Sequence, residues 1–364
     1  MGKVKNKSLL FSVGPVEMDP KIGLQGAKGL PYFRTEEFSQ VNKEICSMLK
    51  SVAGTHRDSK VVLLTASGTG AMEAAVENTF THKDKILVVC GGSFGWRFKE
   101  ICDVHNLKST VIKLQQGETL KRKHLEPFIG RGYTGLLTNG HETSTGVYYD
   151  LPMIGKFCKQ ERILFVVDAI STFLADPYYM DEWNIDITIL STQKALALPP
   201  GMSILIINER VSKRIYHNKV KSLYFNLKTY FEDIHRGQTP YTPAVSILLQ
   251  LHARLKEIKK VGVQRIILDT AKLAVDFRTR IRKLPFTIPS EKLSNAVTPL
   301  QPRAGISAYD IFRYLKEHYN IIVCPNGGAM RDSLFRVGHM GHLKIKDNTR
   351  LIKALNETRK AGLV

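Results

Sequence analysis

A glycine-rich cup with hydroxyls, an acid at the end of an apolar run and a lysine among apolar neighbours are the reactive features of this sequence of 364 residues. The cup lies in TASGTGAMEAA, where Ser67, Gly68, Thr69 and Gly70 lead from an apolar run into a helical pattern. Glycines there let the backbone approach an anion, and the amides of a helix start point at it. Ser67 and Thr69 add hydroxyl donors. The stretch lacks the Lys-Ser/Thr of a P-loop and the third glycine of the dinucleotide fingerprint. Alone, it reads equally as a Ser-capped helix start. Asp168 ends the run ILFVVD, where a carboxylate needs a partner to offset its desolvation. By itself it is as readily a turn or cap residue. Lys194, in STQKALALPPG, sits beside Ala195, Leu196, Ala197 and Leu198. Apolar surroundings disfavour an ammonium, which lowers the pKa and frees the amine as a nucleophile towards a carbonyl.

Alternating strands and helices must position these three. Continuous apolar runs at Lys60–Ser67, Lys85–Gly91, Ser109–Leu114, Tyr133–Gly140, Ile163–Ala169, Asp186–Thr192 and Ser203–Asn208 read as buried strands. Helical spacing separates several of them, at Gly70–Phe80, Trp96–Asn106 and Leu151–Glu161. The pattern predicts an α/β fold with a mostly parallel sheet between helices. From Ala244 to Leu284 the sequence is helical throughout, and a short α/β segment follows. The expected organisation is an N-terminal segment 1–15 on the small domain or the site, a large domain 16–270 and a small C-terminal α/β domain 271–364.

The cup, Asp168 and Lys194 each fall at the C-terminal end of a strand, the edge where open α/β sheets gather ligands. Pyridoxal phosphate asks for these three things: a phosphate cradle, an acid against the pyridinium nitrogen and a lysine for the Schiff base. The stretches FSVGPVEM, ASGTGAME, GGSFGWRF, HETSTGVYYD, VVDAISTF, STQKALALPPG and FRVGHMG together resemble the class V, fold type I, pyridoxal-phosphate aminotransferases. That resemblance spans essentially the whole chain and implies a seven-stranded, mostly parallel sheet. It implies that Lys194 bears the Schiff base and moves a proton, and that Asp168 pairs with the ring nitrogen. Ser67, Gly68, Thr69 and Gln193 would hold the phosphate, Trp96 and Ile170 would flank the ring, and Thr145 would reach its phenolic oxygen. Without the resemblance, Trp96 reads as a core tryptophan. Tyr241 and Thr242 would reach the phosphate of a neighbouring subunit, which implies a homodimer with shared sites. Arg336, Arg34 and Gly14 would meet the substrate; Arg34 could equally pair with Glu36 or Glu37. The lysine loop is similar to that of alanine/serine–glyoxylate aminotransferases. HETSTG, VDAISTF and FRVGHMG look more like 2-aminoethylphosphonate–pyruvate transaminases. The first expectation is transfer from 2-aminoethylphosphonate to pyruvate, and the second is alanine or serine with glyoxylate or pyruvate.

The chain carries 53 Lys and Arg against 33 Asp and Glu, a net charge of +20. These cations are scattered rather than blocked with aromatics, which argues for a small anionic donor and oxo acid rather than nucleic acid. Five cysteines without zinc spacing point to buried thiols in a reducing compartment. Cys324 follows YNIIV and is expected in the core; a desulfurase would need it exposed on a mobile loop. No run is long enough to span a bilayer, and the N-terminal apolar run is too short for a signal peptide. A cytoplasmic protein without membrane contact is therefore expected.

Overall fold

The computed structural model describes residues 8–56 and 58–362. The first seven residues of the expected N-terminal segment lie outside that range. Seven strands form the main sheet, in the spatial order Lys60–Leu64, Ser203–Ile207, Ile187–Ser191, Leu164–Asp168, Gly135–Asn139, Lys85–Cys90 and Lys108–Lys113. Ser203–Ile207 runs antiparallel to both its neighbours, and the remaining pairs are parallel. The exception has a simple cause. A parallel return needs a crossover of a dozen or more residues, usually a helix. Residues 192–202 make a tight loop instead, and that loop carries Lys194.

The central strands are mostly apolar because both of their faces are covered, whereas the edge strand Lys108–Lys113 is largely polar and only partly buried. Val61, Leu63, Leu87, Val89, Leu136, Phe165 and Val167 enter one core. Their neighbours Val62, Leu64, Ile86, Val88, Leu137, Leu164 and Val166 enter another on the opposite face. Lys60–Leu64, Leu164–Asp168 and Ile187–Ser191 all point the same way, so the residues following them meet at one edge.

A second sheet has the order Leu9–Phe11, Ile321–Pro325, Phe335–Gly338, Val297–Pro302 and Phe286–Thr287. Leu9–Phe11 pairs in parallel with Ile321–Val323. Helices Ala308–Tyr319 and Ile345–Lys360 pack on this sheet around Phe277, Leu315, Phe335 and Leu351. The helical stretch expected from Ala244 to Leu284 is broken into Val245–Val261 and Val263–Ile281. Gly262 makes the break with φ +93°, a conformation that lacks a Cβ penalty only for glycine. Among the described residues, no helix is long and apolar enough to cross a membrane.

Candidate active site

Ser67 follows strand Lys60–Leu64 and caps helix Gly68–Thr79, its Oγ accepting from the Gly70 amide at 3.4 Å. The next amides of that helix start have no intrahelical acceptor. A Cβ on Gly68 would lie 2.5 Å from Ile170 Cδ1 and 3.5 Å from Ser191 Cβ. The cup is thus packed against the end of strand Ile187–Ser191 and the residues that follow strand Leu164–Asp168. Thr69 Oγ1 accepts from Arg97 Nη1 at 3.3 Å. Gln193 Oε1 accepts from Ser191 Oγ at 2.5 Å.

Asp168 is buried at the end of its strand. Its Oδ1 accepts from the Ile170 amide at 2.9 Å and its Oδ2 from Asn139 Nδ2 at 3.0 Å. Burial pushes its carboxyl up to about 6, against these bonds and the opposing pull of Lys194. Lys194 is 8% exposed, and its Nζ donates to the Val13 carbonyl at 2.6 Å. A Cβ on Gly14 would lie 2.7 Å from Lys194 Cδ, so the backbone of the N-terminal segment lies directly against the lysine. Burial brings the Lys194 amine down to about 8, with Arg336 adding to the shift and Asp168 and Cys324 opposing it.

Arg336 stands on strand Phe335–Gly338 and is 8% exposed. Its Nη1 donates to the Thr143 carbonyl at 3.1 Å, and its Nη2 to the Pro325 carbonyl at 2.8 Å and Cys324 Sγ at 3.2 Å. Its Nε has no hydrogen-bond partner among the described residues. Asn139 Oδ1 and both ring nitrogens of His141 are likewise buried without one. Burial first, and Lys194 second, hold His141 neutral, its imidazole lowered to about 3. Buried polar atoms are nearly always satisfied. Several orphans around one lysine mark a space that a polar ligand completes. The cup, the acid and the lysine fit pyridoxal phosphate.

The structure gives the other expected residues these surroundings. Trp96 is 46% exposed on helix Ser93–Val104. Phe94, two positions earlier, puts its ring centroid 6.0 Å from Lys194 Nζ. The half-turn between them carries one side chain inward and the other outward, which the motif GGSFGWRF does not distinguish. Arg34 makes no bond to Glu36 or Glu37. It donates to Gln238 Oε1 at 3.1 Å and the Thr239 carbonyl at 2.7 Å, holding the loop that leads to Tyr241. Tyr241 stacks on Tyr224 with centroids 5.1 Å apart and donates to the Leu223 carbonyl, while Thr242 is exposed. Thr145 is buried, its carbonyl accepting from Ser290 Oγ. Cys324, expected in the core, is half-buried beside Arg336, because in a strand alternate side chains leave the core face. Glu142, Asn139, His141 and Val13 are site neighbours with no sequence signal beyond their place in the quoted motifs.

A family model described as Aminotransferase class-V matches residues 32–335. The chain is 27% identical to the soluble hydrogenase small subunit of a Synechococcus species, over 97% of this chain and 93% of that protein. It is 28% identical to alanine–glyoxylate aminotransferase of Rattus norvegicus, over 96% of this chain and 87% of the other. The solved structure of alanine–glyoxylate aminotransferase from a Nostoc species superposes with a TM-score of 0.93 at 22% identity, covering 99% and 97% of the two chains.

Proposed function

The chain belongs to the class V aminotransferases, and we propose that it uses pyridoxal phosphate on Lys194 to transfer an amino group from alanine or serine to glyoxylate. The observation that carries this reading is the meeting of the cup, Asp168 and Lys194 at one sheet edge, near a buried arginine whose Nε has no hydrogen-bond partner among the described residues.

Pyridoxal phosphate, when bound, supplies an electron sink for ionisation of the donor's Cα–H. Ser67, Gly68 and Thr69 hold its phosphate with amides and hydroxyls, and Gln193 joins them. Asp168, oriented by Asn139 and the Ile170 amide, holds the proton of the ring nitrogen. Phe94 offers an apolar face. Lys194 Nζ takes and returns the proton of the substrate carbon; its lowered pKa keeps a useful neutral fraction near neutral pH. Arg336 holds the acid group of each substrate through its free Nε and the adjoining N–H groups. Burial of the site excludes water and strengthens each of these contacts.

Alanine or serine with glyoxylate stands ahead of 2-aminoethylphosphonate with pyruvate on two grounds. The two relatives named as aminotransferases above act on alanine and glyoxylate by name. Arg34 is held by the Gln238–Pro240 loop, leaving Arg336 as the acid-group anchor of the two arginines expected to meet the substrate. One guanidinium matches a carboxylate better than a phosphonate dianion. The phosphonate reading keeps the support of HETSTG and FRVGHMG. The protein is a homodimer in this proposal, with Tyr241 and Thr242 reaching the partner's phosphate site.

A half-reaction tests the proposal. The visible spectrum of the purified holoenzyme is recorded, and L-alanine, L-serine or 2-aminoethylphosphonate is added without any oxo acid. Bleaching by alanine or serine, and recovery of colour on adding glyoxylate, is expected; Lys194→Ala should abolish turnover. Bleaching by the phosphonate alone reassigns the donor. A protein that binds no added pyridoxal phosphate overturns the reading altogether. Cys324→Ala should keep its turnover, which sets aside a desulfurase.

A further inference from the structure

Helix Ser93–Val104 begins without the usual means of satisfying its first amides. Its N-cap is Gly92, which offers no side chain, and its first turn holds no acid. The acceptors come from a different loop. Glu142 Oε2 accepts from the Gly95 amide at 3.1 Å, and Ser144 Oγ accepts from the Ser93 amide at 3.2 Å. Ser144 in turn donates to Glu142 Oε1 from its hydroxyl at 2.6 Å and its amide at 3.2 Å. Glu142 is fully buried. Its burial raises the carboxyl's pKa, and the bonds from Ser144 and Gly95 oppose the rise. Gly92 is vacated for this contact: a Cβ there would lie 2.3 Å from Ser144 Oγ and 2.5 Å from Glu142 Cδ. On the other side, a Cβ on Gly95 would lie 2.3 Å from the Val89 carbonyl. The helix start is therefore clamped between Glu142 and the sheet, and Phe94 is the residue inside the clamp. The same loop also gives its Thr143 carbonyl to Arg336.

We propose that Glu142 is a positioning residue, which caps the Ser93–Val104 helix from a neighbouring loop and so fixes the ring of Phe94 against the cofactor site. The inference rests on the reading that pyridoxal phosphate binds there. The role requires a carboxylate. Each of its bonds is a donation to Glu142, and a carboxylate alone accepts at both ends. In Glu142→Gln, one end becomes an NH₂ facing the Gly95 amide or the Ser144 amide, donor against donor. An aspartate is one methylene too short for the same reach.

The test compares wild type, Glu142→Gln, Phe94→Leu, the double variant and Ser144→Ala. Three quantities are read: the dissociation constant of pyridoxal phosphate on titrating cofactor-free protein, the visible circular dichroism of the bound cofactor, and the melting of the cofactor-free protein. Glu142→Gln should weaken cofactor binding about tenfold, as expected for a buried amide left unsatisfied, and should diminish the visible dichroism. Phe94→Leu should do the same. The double variant should be no weaker than the worse single within about threefold, because both act through one ring. Ser144→Ala should give a smaller change of the same kind, and it decides the matter if Glu142→Gln does not fold. Multiplying effects in the double variant overturn the inference, as does wild-type binding and dichroism in folded Glu142→Gln or in Ser144→Ala. A wild type that binds no pyridoxal phosphate overturns the functional reading and this inference with it.

Discussion

At Lys194, burial and neighbouring charge decide whether the side chain is an ion or a base. Burial and Arg336 favour the neutral amine, Asp168 and Cys324 favour the ammonium, and the balance lies at about 8. At pH 7 roughly a tenth of such a lysine is neutral, against well under a thousandth for an ordinary one. The rate at which cofactor-free protein captures pyridoxal phosphate should thus rise about tenfold from pH 7 to 9 and level off. Stopped-flow absorbance would check this; a rise continuing towards pH 10.5 would contradict the burial argument. Between about 8 and 10.5 the unfolded chain binds this proton and the folded chain does not, so this group's cost to the fold disappears as pH rises through that window. Arg336 allows a second prediction. Arg336→Leu should raise KM for the oxo acid by about two orders of magnitude, the cost of losing a buried charge-assisted contact. The cofactor spectrum should stay unchanged. Arg336→Lys should not rescue binding, because an ammonium cannot replace the planar fork. Steady-state kinetics with glyoxylate decides both.

The elements matter through how closely they approach. Helix Ser93–Val104 lies so near strand Lys85–Cys90 that Gly95 has no room for a side chain, its Cβ position being 2.3 Å from the Val89 carbonyl. Replacing Gly95 with alanine gains about 0.5–1 kcal/mol in helix propensity. It costs about 1–3 kcal/mol in overpacking, because a backbone carbonyl cannot swing aside as a side chain can. The cost wins, so Gly95→Ala should lower the chemical-denaturation midpoint and displace Phe94. An unchanged midpoint would mean that the helix moves freely on the sheet. The loop at residues 192–202 shows the same economy: too short for a crossover helix, it reverses the chain and leaves Lys194 at the edge beside Asp168.

Across the whole molecule, exposed apolar residues gather near the loop that leads to Tyr241. Arg34 binds Gln238 and Thr239, and close to it in sequence Leu30 and Tyr32 are 64% and 67% exposed. Leu223, whose carbonyl accepts from Tyr241, is 80% exposed. A dimer contact would remove this apolar surface from water. In the proposed dimer these residues lie between subunits. Sedimentation should find a dimer, and Leu223→Asp should shift it towards monomer with loss of activity in step. A monomer of full activity would exclude sites shared between subunits.

The sequence by itself determined the main sheet and the three residues, Ser67, Asp168 and Lys194, that end or follow its buried strands at one edge. Ser67, Asp168 and Lys194 were legible because each follows an apolar run, and a run buried on both faces leaves a period-free signal that survives without neighbours. Only the tertiary structure decided which aromatic faces the lysine. Phe94 and Trp96 are both plausible in GGSFGWRF, and the choice is made by Glu142 and Val89 clamping the helix from residues far away in the chain. It also decided that Cys324 borders Arg336, through strand alternation whose phase YNIIVC does not reveal. Gly262 breaks one helical stretch into two by taking a positive φ, which an isolated glycine in a helical pattern allows but does not require. The orphaned atoms of Asn139, His141 and Arg336 come from separate segments. A sequence records which groups can donate or accept, and only the folded chain shows which of them are left without a partner.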